Sequence, residues 1–204
     1  MWRRRGACRP VAPRRNASAS PKSESLVEIH LFSIGHGTQD AATFNTHLRA
    51  AGIAAAADIR RFPQSRQNPQ FDNTALEASL RQAEIDYRPM PELGGRRTAL
   101  PGSPNTALRN ASFRGYADFM QTAEFNEALV ELLMLAGDRP TIMFCAETLW
   151  WRCHRRLVAD AIVLLHGGSV THLVGAMRAA HVLTPGVRRD GSRLMYDARV
   201  QRLL

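Results

Sequence analysis

Long hydrophobic runs are missing from this 204-residue chain. No apolar stretch approaches the roughly 18 residues that span a bilayer, so a membrane-crossing helix is excluded and a soluble protein with no membrane partner is expected. Cysteine is scarce. The three residues at positions 8, 145 and 153 make no disulfide framework, so a reduced, cytoplasmic setting is the default expectation. Lysine is scarcer still, with Lys22 standing alone among 27 basic residues. A GC-rich genome produces the same arginine bias, so the arginine count by itself says nothing about phosphate binding. The side chains do differ, because a planar guanidinium grips phosphate or carboxylate with two bonds. No internal repeat is visible.

The formal net charge of +9 is unevenly spread. Residues 1–25 hold seven basic residues and one acidic residue, which leaves +3 for the remainder. The body is therefore only mildly basic, and most of the high pI belongs to one end. That end is rich in Arg, Ala, Pro and Ser and shows no apolar periodicity, so a disordered basic tail is expected over 1–25. No apolar stretch of about 7–15 residues follows its arginines, as a secretory signal requires. An organelle transit segment fits the composition but not the prolines, and a start site assigned too far upstream fits equally. The Asn16-Ala17-Ser18 sequon then carries no weight.

From Leu26 onward, strand and helix patterns alternate over a length suited to one domain. Strands are expected over Val27–Ser33, Ile53–Ile59, Ile85–Met90, Thr141–Cys145 and Val170–Val174. Helices are expected over about 40–51 with Thr38 as N-cap, and over 74–84, 113–121, 123–136 and 151–166. The loop from Phe62 to Asn73 is expected to be irregular and pinned to the core by Phe62 and Phe71, and Asp190-Gly191 suits a hairpin turn. The alternation predicts a single α/β domain with a mainly parallel sheet of about five strands flanked by helices. Ligands of such sheets sit beyond the carboxyl ends of the strands.

Polar residues cluster just past the strand ends: Gly35-His36 after the first, Asp58 and Arg60 after the second, Glu92, Gly94, Gly95 and Arg96 after the third, and Cys145 and Glu147 after the fourth. These groups are expected to converge above one sheet edge. The densest segment runs from Cys145 to Arg156. At the start of a helix its free N–H groups and Arg152 and Arg155 favour an anion, and the same field lowers the pKa of a Cys153 thiol.

Three chemistries can be set against the spacing. A Cys-loop phosphatase or sulfurtransferase places Arg six positions after its Cys, whereas Cys145 to Arg152 is seven and two Trp intervene. A zinc site would draw on Cys145, Cys153, His154 and His36, but adjacent residues on a helix point about 100° apart, so no metal ligand is assigned. A phosphate pocket fits the inventory best. Its anion-binding residues would be Arg60, Ser65, Arg66, Arg96, Arg114, Arg152 and Arg155. Its acids, bases or nucleophiles would come from His36, Glu92, Cys145, Glu147, Cys153 and His154. Asp58, Gly94, Gly95 and Tyr116 would shape it. Arginine interleaved with Phe62, Phe71, Phe113 and Tyr116 also suits stacking on bases.

The ordered set Ser33-Ile34-Gly35-His36, Asp58-x-Arg60-x-x-Pro63-x-Ser65-Arg66 with Asn68 and Phe71, Pro91-Glu92-Leu93-Gly94-Gly95, Phe113-Arg114-Gly115-Tyr116, Cys145-Ala146-Glu147 and Cys153-His154-Arg155 resembles the bacterial family of domains of unknown function numbered 488. The resemblance covers roughly residues 30–197 and takes in Leu183-Thr184-Pro185 and Tyr196. It implies that these positions form the family's functional surface, and it implies no reaction, cofactor or oligomeric state. Three functions stay open. One is an enzyme acting on a phosphorylated small molecule or nucleic acid, the second a non-catalytic nucleic-acid-binding module, the third a metal- or thiol-dependent redox protein.

Overall fold

Short apolar strands separated by capped helices build this chain, and a computed structural model describes residues 29–197. The expected tail, the sequon and the first residues of the expected first strand lie outside that range. Strand β1 (His30–Gly35) leads to α1 (Ala41–Ala50), then β2 (Ala55–Asp58), α2 (Asn73–Gln82) and β3 (Asp86–Pro89). Helices α3 (Ala111–Phe119) and α4 (Ala123–Asp138) precede β4 (Thr141–Cys145), and α5 (Arg155–His166) precedes β5 (Ser169–Val174). Three further strands come next: β6 (Met177–Ala180), β7 (Val187–Asp190) and β8 (Arg193–Tyr196).

The main sheet has the order β3-β2-β4-β1-β5-β6. All its pairings are parallel except β5 with β6. The α/β class is as expected, and β6 makes a sixth strand where about five were anticipated. The β7–β8 hairpin turns at Gly191, whose φ of +63° suits a residue without Cβ.

Period-two alternation divides the core between the two faces of the sheet. On β4, Ile142 and Phe144 face Phe44 and Leu48 of α1 and Leu76 and Leu80 of α2. Met143 points the other way, into a cluster with Tyr116, Phe125, Leu129 and Leu157 from α3, α4 and α5. Helices on both faces explain why β2 and β4 read as unbroken apolar runs.

Local capping chemistry sets the helix starts. Asp40 caps α1, accepting from the Thr43 N–H at 2.7 Å, in place of the expected Thr38. Carboxylate and amide side chains do the same for α2 and α3 through Asp72 and Asn110. The expected helix over 151–166 is shorter than its pattern. A 3₁₀ turn, Trp150–Arg152, ends in an extended Cys153 (φ −122°, ψ 153°), and α5 begins at Arg155.

Candidate functional site

Five parallel strands end on one edge of the sheet, and a cavity of about 580 Å³ opens there. Its walls include Arg60 after β2, Gly95 and Arg96 after β3, and Cys145 and Glu147 after β4. Tyr116 of α3 and the Arg152, Cys153, His154 run complete the set of anticipated residues that line it. Arg61, Phe62, Gln64, Asn110, Ser112 and Phe113 also line it and were not singled out as site residues. Two had a signal: Arg61 adjoins Arg60, and Phe113 belongs to the Phe113–Tyr116 motif, from which Arg114 was chosen instead. Phe62 was expected in the core. It is 61% exposed at the cavity, while Phe71 is fully buried as expected.

Other anticipated residues lie behind the wall or away from it. Asp58 is buried and accepts from Arg60 through both oxygens, Nε at 2.8 Å and Nη2 at 2.6 Å, with the Tyr87 hydroxyl adding a third donor at 2.8 Å. Arg60 spends its remaining nitrogen on the Phe71 carbonyl at 2.7 Å. It is a positioning residue that fastens the loop after β2. His36 sits behind it, stacked on Phe71 at 4.0 Å, and lines a smaller cavity of about 320 Å³. Burial, with Arg60 nearby, lowers the His36 pKa to about 4 against the Gly37 carbonyl, so the ring is neutral at physiological pH. Arg155 is fully buried and donates to the carbonyls of Glu147 and Thr148, to Ser33 Oγ at 3.4 Å and to Cys153 Sγ at 3.3 Å. Its fork is consumed in holding the segment after β4 and does not line the cavity. Glu92 and Arg66 are exposed and lie outside the lining. Ser65 accepts from the Asn68 N–H, and Arg114 donates to the carbonyls of Leu108 and Arg109. Of the anticipated anion-binding residues, Arg60, Arg96 and Arg152 line the cavity, Arg61 joins them, and Ser65, Arg66, Arg114 and Arg155 do not line it.

Close backbone packing holds the walls together. A Cβ on Gly35 would lie 1.9 Å from the Glu147 carbonyl oxygen, and one on Gly94 would lie 2.5 Å from the Arg61 Cα. Arg96 adopts φ +60°, a left-handed conformation costly for a side chain with a Cβ, and its carbonyl accepts from Arg61 at 3.0 Å.

Cys145, Cys153 and His154 meet on the cavity wall, their ligating atoms all within 4.8 Å of one another. The expectation that Cys153 and His154 diverge from a helix is overturned, because Cys153 is extended and precedes α5. His154 Nε2 lies 3.0 Å from the Ile59 carbonyl, which can only accept. Nε2 therefore carries a proton, and Nδ1 faces Cys153 Sγ at 3.6 Å, where it donates to a thiolate when the ring is charged and offers a lone pair when the ring is neutral. Gly95 makes room for this ring, since a Cβ there would come within 2.8 Å of Nδ1. A hydrogen bond to Cys153, together with burial, pushes the Cys145 thiol up. Burial opposes ionisation of Cys153, but the Cys145 hydrogen bond, His154 and Arg155 outweigh it and hold this thiol well below its ordinary value.

Behind this wall lies a network that the chain order did not reveal. Trp150 stacks on His172 at 4.1 Å and 5°. His172 Nε2 meets His181 Nδ1 at 3.0 Å, His181 Nε2 meets Asp160 at 2.9 Å, and the Tyr196 hydroxyl donates to Asp160 at 3.0 Å. Tyr196 appeared only inside the family resemblance, Trp150 only as one of the two Trp within the Cys145–Arg156 segment, and His172, His181 and Asp160 carried no local signal. Among the described residues, no helix is long and apolar enough to cross a membrane.

No curated protein and no solved structure matches the chain. A family model described as domain of unknown function DUF488 matches residues 40–162, a span that takes in Asp58, Arg60 and the Cys145, Cys153 and His154 cluster. The chain belongs to that family.

Proposed function

We propose that this chain is an enzyme acting on an anionic substrate, a phosphate ester or nucleotide, bound in the cavity above the cysteine–histidine cluster. One observation carries the reading. Arg61, Arg96 and Arg152 line the same cavity as the reactive cluster, and Glu147 is the acidic residue among them. Three guanidinium forks against one carboxylate favour a ligand with several oxygens and negative charge. Arg60 adds little, because Asp58 already neutralises it. The rings of Phe62 and Phe113 on the same wall suit a base or another flat group beside the phosphate. In this reading Arg61, Arg96 and Arg152 hold the anion, Cys145, Cys153 and His154 supply the chemistry, and Glu147 is placed to carry a proton. Arg60, Asp58 and Arg155 position these groups.

Phosphate, nucleotides and short oligonucleotides should each be tested for a rise in melting temperature. Arg96→Gly is the informative variant, because it removes the guanidinium while relieving the left-handed backbone. It should melt no lower than the parent and lose most of the anion-induced rise. An unchanged rise in Arg96→Gly, or no rise with any of these anions, overturns the reading. If the chain is a binding module without catalysis, anion affinity will survive in Cys145→Ser and Cys153→Ser and no turnover of any bound ester will be seen.

A further inference from the structure

We propose that Cys145, Cys153 and His154 form a three-ligand site for a divalent metal ion of the zinc type, its fourth coordination position open to the cavity. The inference deepens the anionic-substrate reading and rests on it for what the ion would do, whereas binding of the ion stands on the geometry alone.

The donor set is the first argument. Two thiolates and an imidazole are the ligands that borderline-soft divalent ions select over oxygen donors. Spacing is the second. With metal–sulfur distances near 2.3 Å and metal–nitrogen near 2.0–2.1 Å, a tetrahedral angle sets neighbouring S and N about 3.6 Å apart. Cys153 Sγ and His154 Nδ1 are 3.6 Å apart, and all three donor atoms fall within 4.8 Å. The third argument is the tautomer. An imidazole that ligates through one nitrogen commonly donates from the other to a backbone carbonyl, which orients the ring. The Ile59 carbonyl accepts from Nε2–H of His154, which turns Nδ1 toward the two sulfurs and reserves it for an ion. Gly95 keeps the approach to that nitrogen clear.

The fourth position is left to solvent or substrate. His36, the other imidazole near this edge, is turned away: its Nδ1 meets the Gly37 carbonyl at 2.9 Å and its Nε2 faces Arg60 at 3.4 Å. Three protein ligands with one open position mark a catalytic site, whereas a structural site closes with four. When bound, such an ion polarises a phosphoryl or carbonyl oxygen or acidifies a water. Arg61, Arg96 and Arg152 would then hold the rest of the anion within reach of it.

The test uses the full chain, purified without a histidine tag, stripped with a chelator under reducing conditions and titrated with Co²⁺ and then Zn²⁺. The expected result is one equivalent of Co²⁺ with tetrahedral visible bands and sulfur-to-cobalt charge transfer, displaced by Zn²⁺. Cys145→Ser and Cys153→Ser should each weaken binding by at least about 100-fold, and Gly95→Ala, which keeps every donor, should weaken it about 10-fold. Absence of the charge-transfer band in the parent protein overturns the proposal without reference to any variant. Bands that persist when both cysteines are replaced overturn it too. Anion-induced melting shifts, measured on stripped and Zn²⁺-loaded protein, separate the two ideas. Shifts without metal binding sink this proposal alone, and metal binding without shifts upholds it and sinks the anionic-substrate reading.

Discussion

Asp58 shows how much can depend on one carboxylate. It is 1% exposed and holds Arg60, itself 6% exposed, through both oxygens. Removing it leaves a buried guanidinium with no counter-charge, which costs about 3–5 kcal/mol. Asp58→Ala should therefore lose that much in urea unfolding, and a loss below about 1 kcal/mol would mean that the pair is better solvated than its burial suggests. Two glycines make opposite predictions. Alanine at Gly35 would push a methyl group into the Glu147 carbonyl, so Gly35→Ala should destabilise the protein and misplace Cys145. Gly137 lies in the last turn of α4 with nothing within 4 Å of a Cβ, so Gly137→Ala should stabilise it by about 0.5–1 kcal/mol. Thermal melts of the two variants check both signs. Neither difference is legible in the chain order, because each depends on what a distant segment brings to that carbon.

The segment between β4 and α5 owes its shape to contacts at both ends. Arg155 ties it from below through the Glu147 and Thr148 carbonyls, and Trp150 anchors it on His172. The tautomers along that network are set by Asp160, which can only accept. His181 donates to Asp160 from Nε2 and accepts from His172 Nε2 at Nδ1, so His172 Nδ1 is left as a bare acceptor, with no hydrogen-bond partner among the described residues. Burial, reinforced by His181 and Arg155, lowers the His172 pKa to about 3. His36 behaves alike, with a pKa near 4 from burial. Both folded values lie below the ordinary 6.5 of the unfolded chain. Between those limits the unfolded state binds more protons, so stability is full above pH 6.5 and falls as the pH drops toward 4 and 3. Each histidine contributes up to about 1.4 kcal/mol per pH unit in that window. Urea midpoints between pH 7 and 5 should fall steeply, and His172→Gln should remove roughly half of the histidine-linked slope. An unchanged slope would place the linkage elsewhere.

Charge is divided between two regions with different consequences. Residues 1–25 carry most of the net +9, while the cavity draws on arginines inside the folded body. A small anion held by Arg61, Arg96 and Arg152 should therefore saturate near one equivalent and lose only modest affinity when salt rises from about 50 to 200 mM. Oligonucleotide attraction to the basic end should fall by orders of magnitude over the same range. Calorimetric titrations at the two salt concentrations check this, and an equal, steep loss for both ligands would contradict the separation.

Hydrophobic periodicity was enough to forecast the α/β class, most helices and the strand ends where Cys145, Arg60 and Arg96 line one cavity, because strand alternation and helix faces are set by neighbours a few residues apart. The cap of α1, by contrast, fell to Asp40 and not to Thr38. The same local view extended the last crossover helix back to 151, misread Phe62 as core and chose Arg66 and Arg155 as anion ligands. Those outcomes were settled by tertiary packing: a buried guanidinium that reaches Ser33, 122 residues away, as well as the Glu147 carbonyl, an aromatic ring left exposed on the cavity wall, and an imidazole oriented by the carbonyl of Ile59, 95 residues away. Hydrogen-bond satisfaction inside a folded core is a long-range condition, and no window along the chain encodes it.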